Sequence, residues 1–273
     1  MSSRPVYIIS DQTGITAEMM SHSLLTQFPG VNFDVNTLPF VDTDDKVNDV
    51  IKQIDQALEA SGVEPLVFIT FVDDAHRDKL LTCKGRIFDL FGAFLTPLES
   101  VLEVASSHSM GVSHGIVDPV RYTNRIGAVN YAVHCDDGLN TKDYDQAELI
   151  LLGVSRAGKS PVSLYLAMHF GIYCANYPLT DSDLESQELP SSLARWRNKL
   201  FGLTIRPDRL QQIRHERKSG SRYATIQQCR MEVSQAESIY MRSRLKSADT
   251  TSLSIEEISS RIMQKMNLKR DAY

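Results

Sequence analysis

Close pairs of cysteine are missing from this sequence. Its four cysteines, Cys83, Cys135, Cys174 and Cys229, stand 52, 39 and 55 positions apart, a spacing that excludes a compact structural zinc site and a thioredoxin-like Cys-x-x-Cys motif. They read as reduced cytosolic thiols. An excess of positive charge is missing too. With 29 basic against 34 acidic residues the formal net charge is -5, which argues against a broad nucleic-acid surface as the main function. The start, Met1 to Ser10, has no basic flank followed by a long apolar segment, so neither a signal peptide nor a membrane-spanning helix is expected and the cytoplasm is the expected location. Internal repeats and low-complexity tracts are absent. What is there, 273 residues with 42% hydrophobic and 23% charged, is ordinary globular composition on a scale of two domains or one large α/β domain.

Strand-like and helix-like patterns alternate along the chain. Val6 to Ile9 is a β-branched apolar run that enters Ser10-Asp11-Gln12-Thr13-Gly14 and then a helical stretch through Leu25. A second strand is expected over Phe33 to Leu38, then a helix carried by Val47, Val50, Ile51, Ile54 and Leu58, then an apolar run from Leu66 to Val72. Further helices are expected over Arg77 to Phe91 and along the apolar stripe Tyr122, Ile126, Val129 and Val133. The stretch from Asp136 to Gln146 is polar and reads as a connection, which puts a domain boundary near residue 143. Beyond it come strands Leu149 to Leu152, Ile172 to Ala175 and Leu200 to Ile205, a helix from Ser160 to Phe170, and helices over the remainder. The last begins with Ser254 and Glu257 at capping-box spacing, with Leu253 and Ile258 set for a hydrophobic staple, and is expected to bury Ile255, Ile258, Ile262 and Met266. The order implies parallel, helix-covered sheets. The expected architecture is α/β in two domains: an N-terminal α/β domain over 1–143, and over 144–273 a nucleotide-binding phosphotransferase domain with a P-loop, kinase-like parallel sheet flanked by helices.

The strongest chemical signal is Gly153-Val154-Ser155-Arg156-Ala157-Gly158-Lys159-Ser160, a complete match to the phosphate-binding P-loop pattern. Its setting supports it, because an apolar strand precedes the loop and Pro161 suits the first turn of a following helix. All eight residues are candidate nucleotide contacts. Gly153 and Gly158 let backbone N–H groups approach phosphate oxygens, Lys159 would reach the terminal phosphates as the catalytic cation, and the Ser160 hydroxyl would hold Mg²⁺. The bland alternative is a glycine-rich turn before a core helix.

A GTPase reading fails. Asp89-Leu90-Phe91-Gly92 precedes the loop, and Asn198-Lys199-Leu200-Phe201 lacks the guanine-reading aspartate. A second acidic group after the loop, as metal ligand or base, has three candidates, Asp181, Asp183 and Asp208, each better explained as a helix cap or solvated loop residue.

Longer blocks surround the loop: Ser10-Asp11 with Thr16-Ala17-Glu18, Leu38-Pro39-Phe40-Val41, Asp136-Asp137-Gly138, Ser163 to Met168, Ala175-Asn176-Tyr177-Pro178, Lys199 to Ile205, Ser221-Arg222-Tyr223-Ala224, and Gln228 to Val233. With these, nearly the whole chain resembles the phosphoenolpyruvate synthase regulatory protein family, which is related to the pyruvate, phosphate dikinase regulatory proteins. The Gly158-Lys159 pair favours the synthase as target. The resemblance implies a bifunctional serine/threonine kinase and phosphorylase. ADP would donate its β-phosphoryl to a threonine of phosphoenolpyruvate synthase and inactivate it, and inorganic phosphate would remove that group as pyrophosphate, with Mg²⁺ assisting. It implies no nucleic acid or membrane partner and allows a homodimer. One departure is that Cys135, not histidine, directly precedes the Asp-Asp-Gly block, so His134 is better read as a partly buried helix-end histidine. The competing readings are a P-loop small-molecule kinase and a nucleotide sensor without transfer activity.

Other residues carry weaker signals. Asp11 and Thr13 follow the first strand, where function and helix capping by Thr13 or Thr16 are equal readings. His108 and His114 flank Gly111 without metal-ligand spacing. The run Arg214, His215, Glu216, Arg217 and Lys218 is basic and reads as a solvated helix face, with docking to an acidic partner as the alternative. Trp196 and Phe201 read as core.

Overall fold

A computed structural model describes residues 3–106, 119–218 and 220–269. The chain forms two compact units, residues 1–117 and 118–273. Each is built on one parallel four-stranded sheet.

In the first unit the strands are β1 (Arg4–Ser10), β2 (Phe33–Leu38), β3 (Leu66–Thr70) and β4 (Arg86–Asp89), ordered β2-β1-β3-β4. The helices are α1 (Ile15–Leu25), α2 (Asp44–Ser61), α3 (Asp74–Leu80) and α4 (Gly92–Leu102). Alternate side chains of β1 feed two apolar layers. Tyr7 and Ile9 pack with Val47, Val50 and Ile54 of α2, while Val6 and Ile8 pack with Ala17 of α1 and Phe68. Helix α2 starts where the Thr43 side chain accepts from the Lys46 N–H, and its first turn carries Asp44 and Asp45, which suit the positive end of the helix dipole. The helix expected over Arg77 to Phe91 is interrupted. It ends at Leu80, and residues 86–89 become a strand because Ile87 finds a parallel partner in Val67 and the Phe88 ring stacks on Phe68 at 4.9 Å. β-Branched and aromatic side chains fit a pleated surface better than a helix.

The second unit begins with α5 (Pro119–His134) and two 3₁₀ turns (Asp136–Gly138 and Thr141–Gln146). The strands β5 (Leu149–Gly153), β6 (Cys174–Pro178), β7 (Leu200–Thr204) and β8 (Lys246–Asp249) follow in the spatial order β6-β5-β7-β8. Around them lie α6 (Lys159–Phe170), α7 (Asp181–Ser186), α8 (Pro207–Arg217), α9 (Ile226–Arg242) and α10 (Ile255–Met266), with further 3₁₀ turns at Ser191–Lys199 and Arg222–Ala224. Leu149, Ile150, Leu151 and Leu152 of β5 are fully buried, the continuous apolar run expected of a central parallel strand covered on both faces.

Five further expectations are revised. The division falls at 117/118 rather than near 143, because α5 packs on the second sheet's helix layer: Ala128 and Ala132 meet Ala167 of α6, while Tyr131 and Cys135 join the main core. The buried face of α5 is that alanine and tyrosine face, leaving Tyr122, Ile126 and Val133 exposed. The strand expected at Ile172 to Ala175 starts two residues later, after α6 ends in left-handed Gly171. A last strand, β8, lies among the expected helices and pairs Gly202 with Ser247 and Leu203 with Ala248. In α10 the Ser254–Glu257 capping box forms as read, and Ile258, Ile262 and Met263 are buried, whereas Ile255 is exposed. Among the described residues no helix is long and apolar enough to cross a membrane.

Candidate active site

Strand β5 delivers its last residue, Gly153, into a loop that leads straight into α6. A Cβ at Gly153 would stand 2.9 Å from the Leu203 carbonyl oxygen and 3.3 Å from the Ala157 Cβ, so only glycine lets the loop lie this close to β7. Val154 and Ala157 are buried anchors, Ser155 and Arg156 form the exposed crest, and Gly158 caps α6 with φ +93°. That cap provides no side-chain acceptor, so the first N–H groups of α6 stay available to an anion.

Lys159 and Ser160 open the helix. Lys159 is 4% exposed, and its ammonium donates to the carbonyls of Gly153 and Val154, each at 3.1 Å. Burial lowers its pKa from an ordinary 10.5 to about 8; Asp137 and Asp136 pull the other way, and Arg214 adds to the lowering. The Ser160 hydroxyl donates to Asp136 Oδ1 at 2.7 Å.

Asp136 is the candidate site residue that sequence reasoning missed. It sits in the 3₁₀ turn after α5, and its Oδ1 also accepts from the Asn176 side-chain amide. Asn176 is fully buried on β6, and its side-chain oxygen accepts from the Asp137 N–H at 3.0 Å. Tyr144, also fully buried, donates to the Asn176 carbonyl at 3.0 Å. The polar stretch read as a connection is therefore stitched to β6 and aims a carboxylate at the loop. The available signal was the Asp-Asp-Gly block, matched by the amide of Asn176 in another block.

The three downstream aspartates sit elsewhere in helix starts. Asp183 completes the capping box of Thr180, Asp181 is exposed in the first turn of α7, and Asp208 opens α8 beside Arg206. His134 is half-exposed at the end of α5 and pairs with Asp143 Oδ2 at 2.8 Å. Trp196 and Phe201 are core residues. Arg214, read as part of a solvated face, is fully buried beneath the loop instead. In the first unit Asp11 is buried, and its Oδ2 accepts from the Val72 and Asp73 N–H groups, tying two strand ends together. Neither Thr13 nor Thr16 caps α1, whose cap is left-handed Gly14. His108, Gly111 and His114 lie outside the described residues. All four cysteines are buried and free.

Fold and site together define an α/β protein in which a buried parallel strand runs through a glycine-bounded loop into a helix headed by lysine and serine, with a carboxylate facing the serine. The family model described as kinase/pyrophosphorylase matches residues 6–263. Full-length relatives carry the name "Putative phosphoenolpyruvate synthase regulatory protein". One from Alcanivorax borkumensis is 49% identical over 267 residues, and one from Marinobacter nauticus 47% over 267, each alignment covering 98% of both chains. One from Alkalilimnicola ehrlichii is 48% identical over 270 residues, covering 99% of this chain and 98% of its own. The chain belongs to the kinase/pyrophosphorylase family.

Proposed function

We propose that this protein regulates phosphoenolpyruvate synthase by two opposed phosphoryl transfers at the β5–α6 loop. In the forward direction the bond between the bridging oxygen and the β-phosphorus of ADP breaks, a threonine oxygen of the synthase takes the phosphoryl group and loses its proton, and AMP leaves. In the reverse direction inorganic phosphate takes the group from the threonine and pyrophosphate leaves. Both move a phosphoryl group between a threonine oxygen and a phosphate oxygen, so one charge-stabilising site serves both. The reading carries a cytoplasmic location with it.

The observation that supports it most is the convergence of Lys159, Ser160 and Asp136 at the end of β5. Lys159 bonds its own loop carbonyls; a phosphate above the loop would exchange those neutral acceptors for a charged one, a stronger hydrogen bond. Ser160 and Asp136 offer two hard oxygen ligands 2.7 Å apart, which fits Mg²⁺, an ion that takes one or two protein oxygens and completes its shell with phosphate and water. When bound, that ion would neutralise charge on the phosphates. The loop N–H groups and the α6 N-terminus orient the transferring group, and Asn176 holds Asp136 in place.

Incubation with phosphoenolpyruvate synthase, ADP and Mg²⁺ should add a phosphate to a threonine of the synthase, seen by mass spectrometry, and suppress its activity. Phosphate without ADP should reverse this and release pyrophosphate. An unmodified synthase alongside phosphorylation of a metabolite would replace this reading with a small-molecule kinase.

A further inference from the structure

We propose that Arg214 is a positioning residue for the β5–α6 loop, gripping its crest at Ser155 in the conformation that receives phosphate; the proposal rests on that loop being the phosphoryl-transfer site. Arg214 projects from α8 and is fully buried. Its guanidinium donates to the Ser155 carbonyl through Nη2 at 3.1 Å and Nε at 3.4 Å. Nη2 also meets Glu232 Oε2 at 2.6 Å, and Nη1 donates to the Tyr223 carbonyl at 3.1 Å. The guanidinium carbon lies 4.1 Å from the centre of the Tyr223 ring, whose hydroxyl pairs with Ser155 Oγ at 2.9 Å. Glu232 is itself fixed by the Gln228 amide at 2.9 Å. Ser155 is thus held at its backbone by Arg214 and at its side chain by Tyr223.

Stability alone does not account for such a cluster. A buried ion pair is often matched or bettered by apolar side chains of the same volume. What apolar groups cannot do is hold a carbonyl with a planar fork of donors, or place a fixed positive charge under an anion-binding loop. The grip falls beside the one non-glycine loop residue in the left-handed region, Arg156 at φ +75°, where a strained crest must be fixed by its neighbours.

The test uses the full chain with Arg214→Lys, Arg214→Met and Tyr223→Phe, measuring ADP affinity by calorimetry, transfer to the synthase, and Tm. Arg214→Lys keeps charge and loses the fork; it should weaken ADP binding by about tenfold or more, the scale of losing a supporting hydrogen-bond partner. Tyr223→Phe should weaken it a few-fold. Arg214→Met should lose as much affinity as Arg214→Lys or more. Wild-type affinity in both Arg214 variants would overturn the proposal, as would affinity losses that only track the loss of Tm across the three variants. A wild-type protein that binds no ADP would take down the loop assignment itself, and the proposal with it.

Discussion

The Ser160 hydroxyl donates to the carboxylate of Asp136, which lies 24 positions earlier in the chain, at 2.7 Å. A residue ahead of the glycine loop therefore supplies the acidic group that faces the serine at its end.

Removing the charge but keeping the shape, in Asp136→Asn, should lower phosphoryl transfer by about 10²-fold or more, the scale of losing one electrostatic stabiliser at a reacting phosphate. The Mg²⁺ concentration needed for half activity should rise as well. An unchanged metal titration would remove Asp136 from the site.

Asn176→Ala should act through Asp136. Loss of the amide leaves the carboxylate free to rotate, and supporting residues of this kind are worth about 10–100-fold in activity or metal affinity. The Asp137 N–H loses its acceptor and the fully buried Asn176 site is emptied at the same time, so a fall in Tm should accompany the kinetic loss.

Lys159→Met separates function from stability. Transfer in both directions should fall by about 10²–10³-fold, while Tm stays equal or rises because a buried cation is gone whose hydrogen bonds go to the neutral carbonyls of Gly153 and Val154 and whose burial cost outweighs the pull of Asp136 and Asp137. Loss of the forward reaction alone would mean two separate sites.

The same lysine sets a pH dependence. Its folded pKa is about 8 against an ordinary 10.5, so the ammonium that binds phosphate is present below pH 8 and is lost above it. ADP affinity of the free protein, measured by calorimetry, should fall as pH rises through about 8. Stability moves oppositely. Between about 8 and 10.5 the unfolded chain holds more protons than the folded one, so this group's contribution to stability rises with pH across that window and is least below it. Lys159→Met should abolish that rise.

How much of this was legible depends on where each signal sits. The β5–α6 loop could be read directly because strand, glycines and helix are contiguous, and α10 because Ser254 and Glu257 cap it by local chemistry. Asp136 was hidden by distance: its partners Ser160 and Asn176 come 24 and 40 positions later, and its own neighbours are polar enough to pass for a linker. Arg214 was hidden by composition. Helix α8 is polar nearly all round, burying only Leu210 and Arg214, so no periodic stripe marks the inward face. In α5 Tyr122, Ile126 and Val133 of the conspicuous aromatic and β-branched stripe face outward, Val129 is only partly buried, and the alanines, which let α6 approach closely, carry the contact. Strand β8 is four residues long and mostly polar, too short for an alternating pattern to be heard.

The arrival of Asp136 from upstream changes what can be inherited as a unit. A recombination joint placed at residue 144 would carry the entire glycine motif into a new gene while leaving behind the carboxylate that faces Ser160. The portable module starts no later than α5 and extends past β6, where Asn176 fixes the turn. Shuffling, splicing or domain grafting that respects the motif alone would transmit a phosphate cradle stripped of its acid, and lineages descending from such an event should show the loop intact and the chemistry gone.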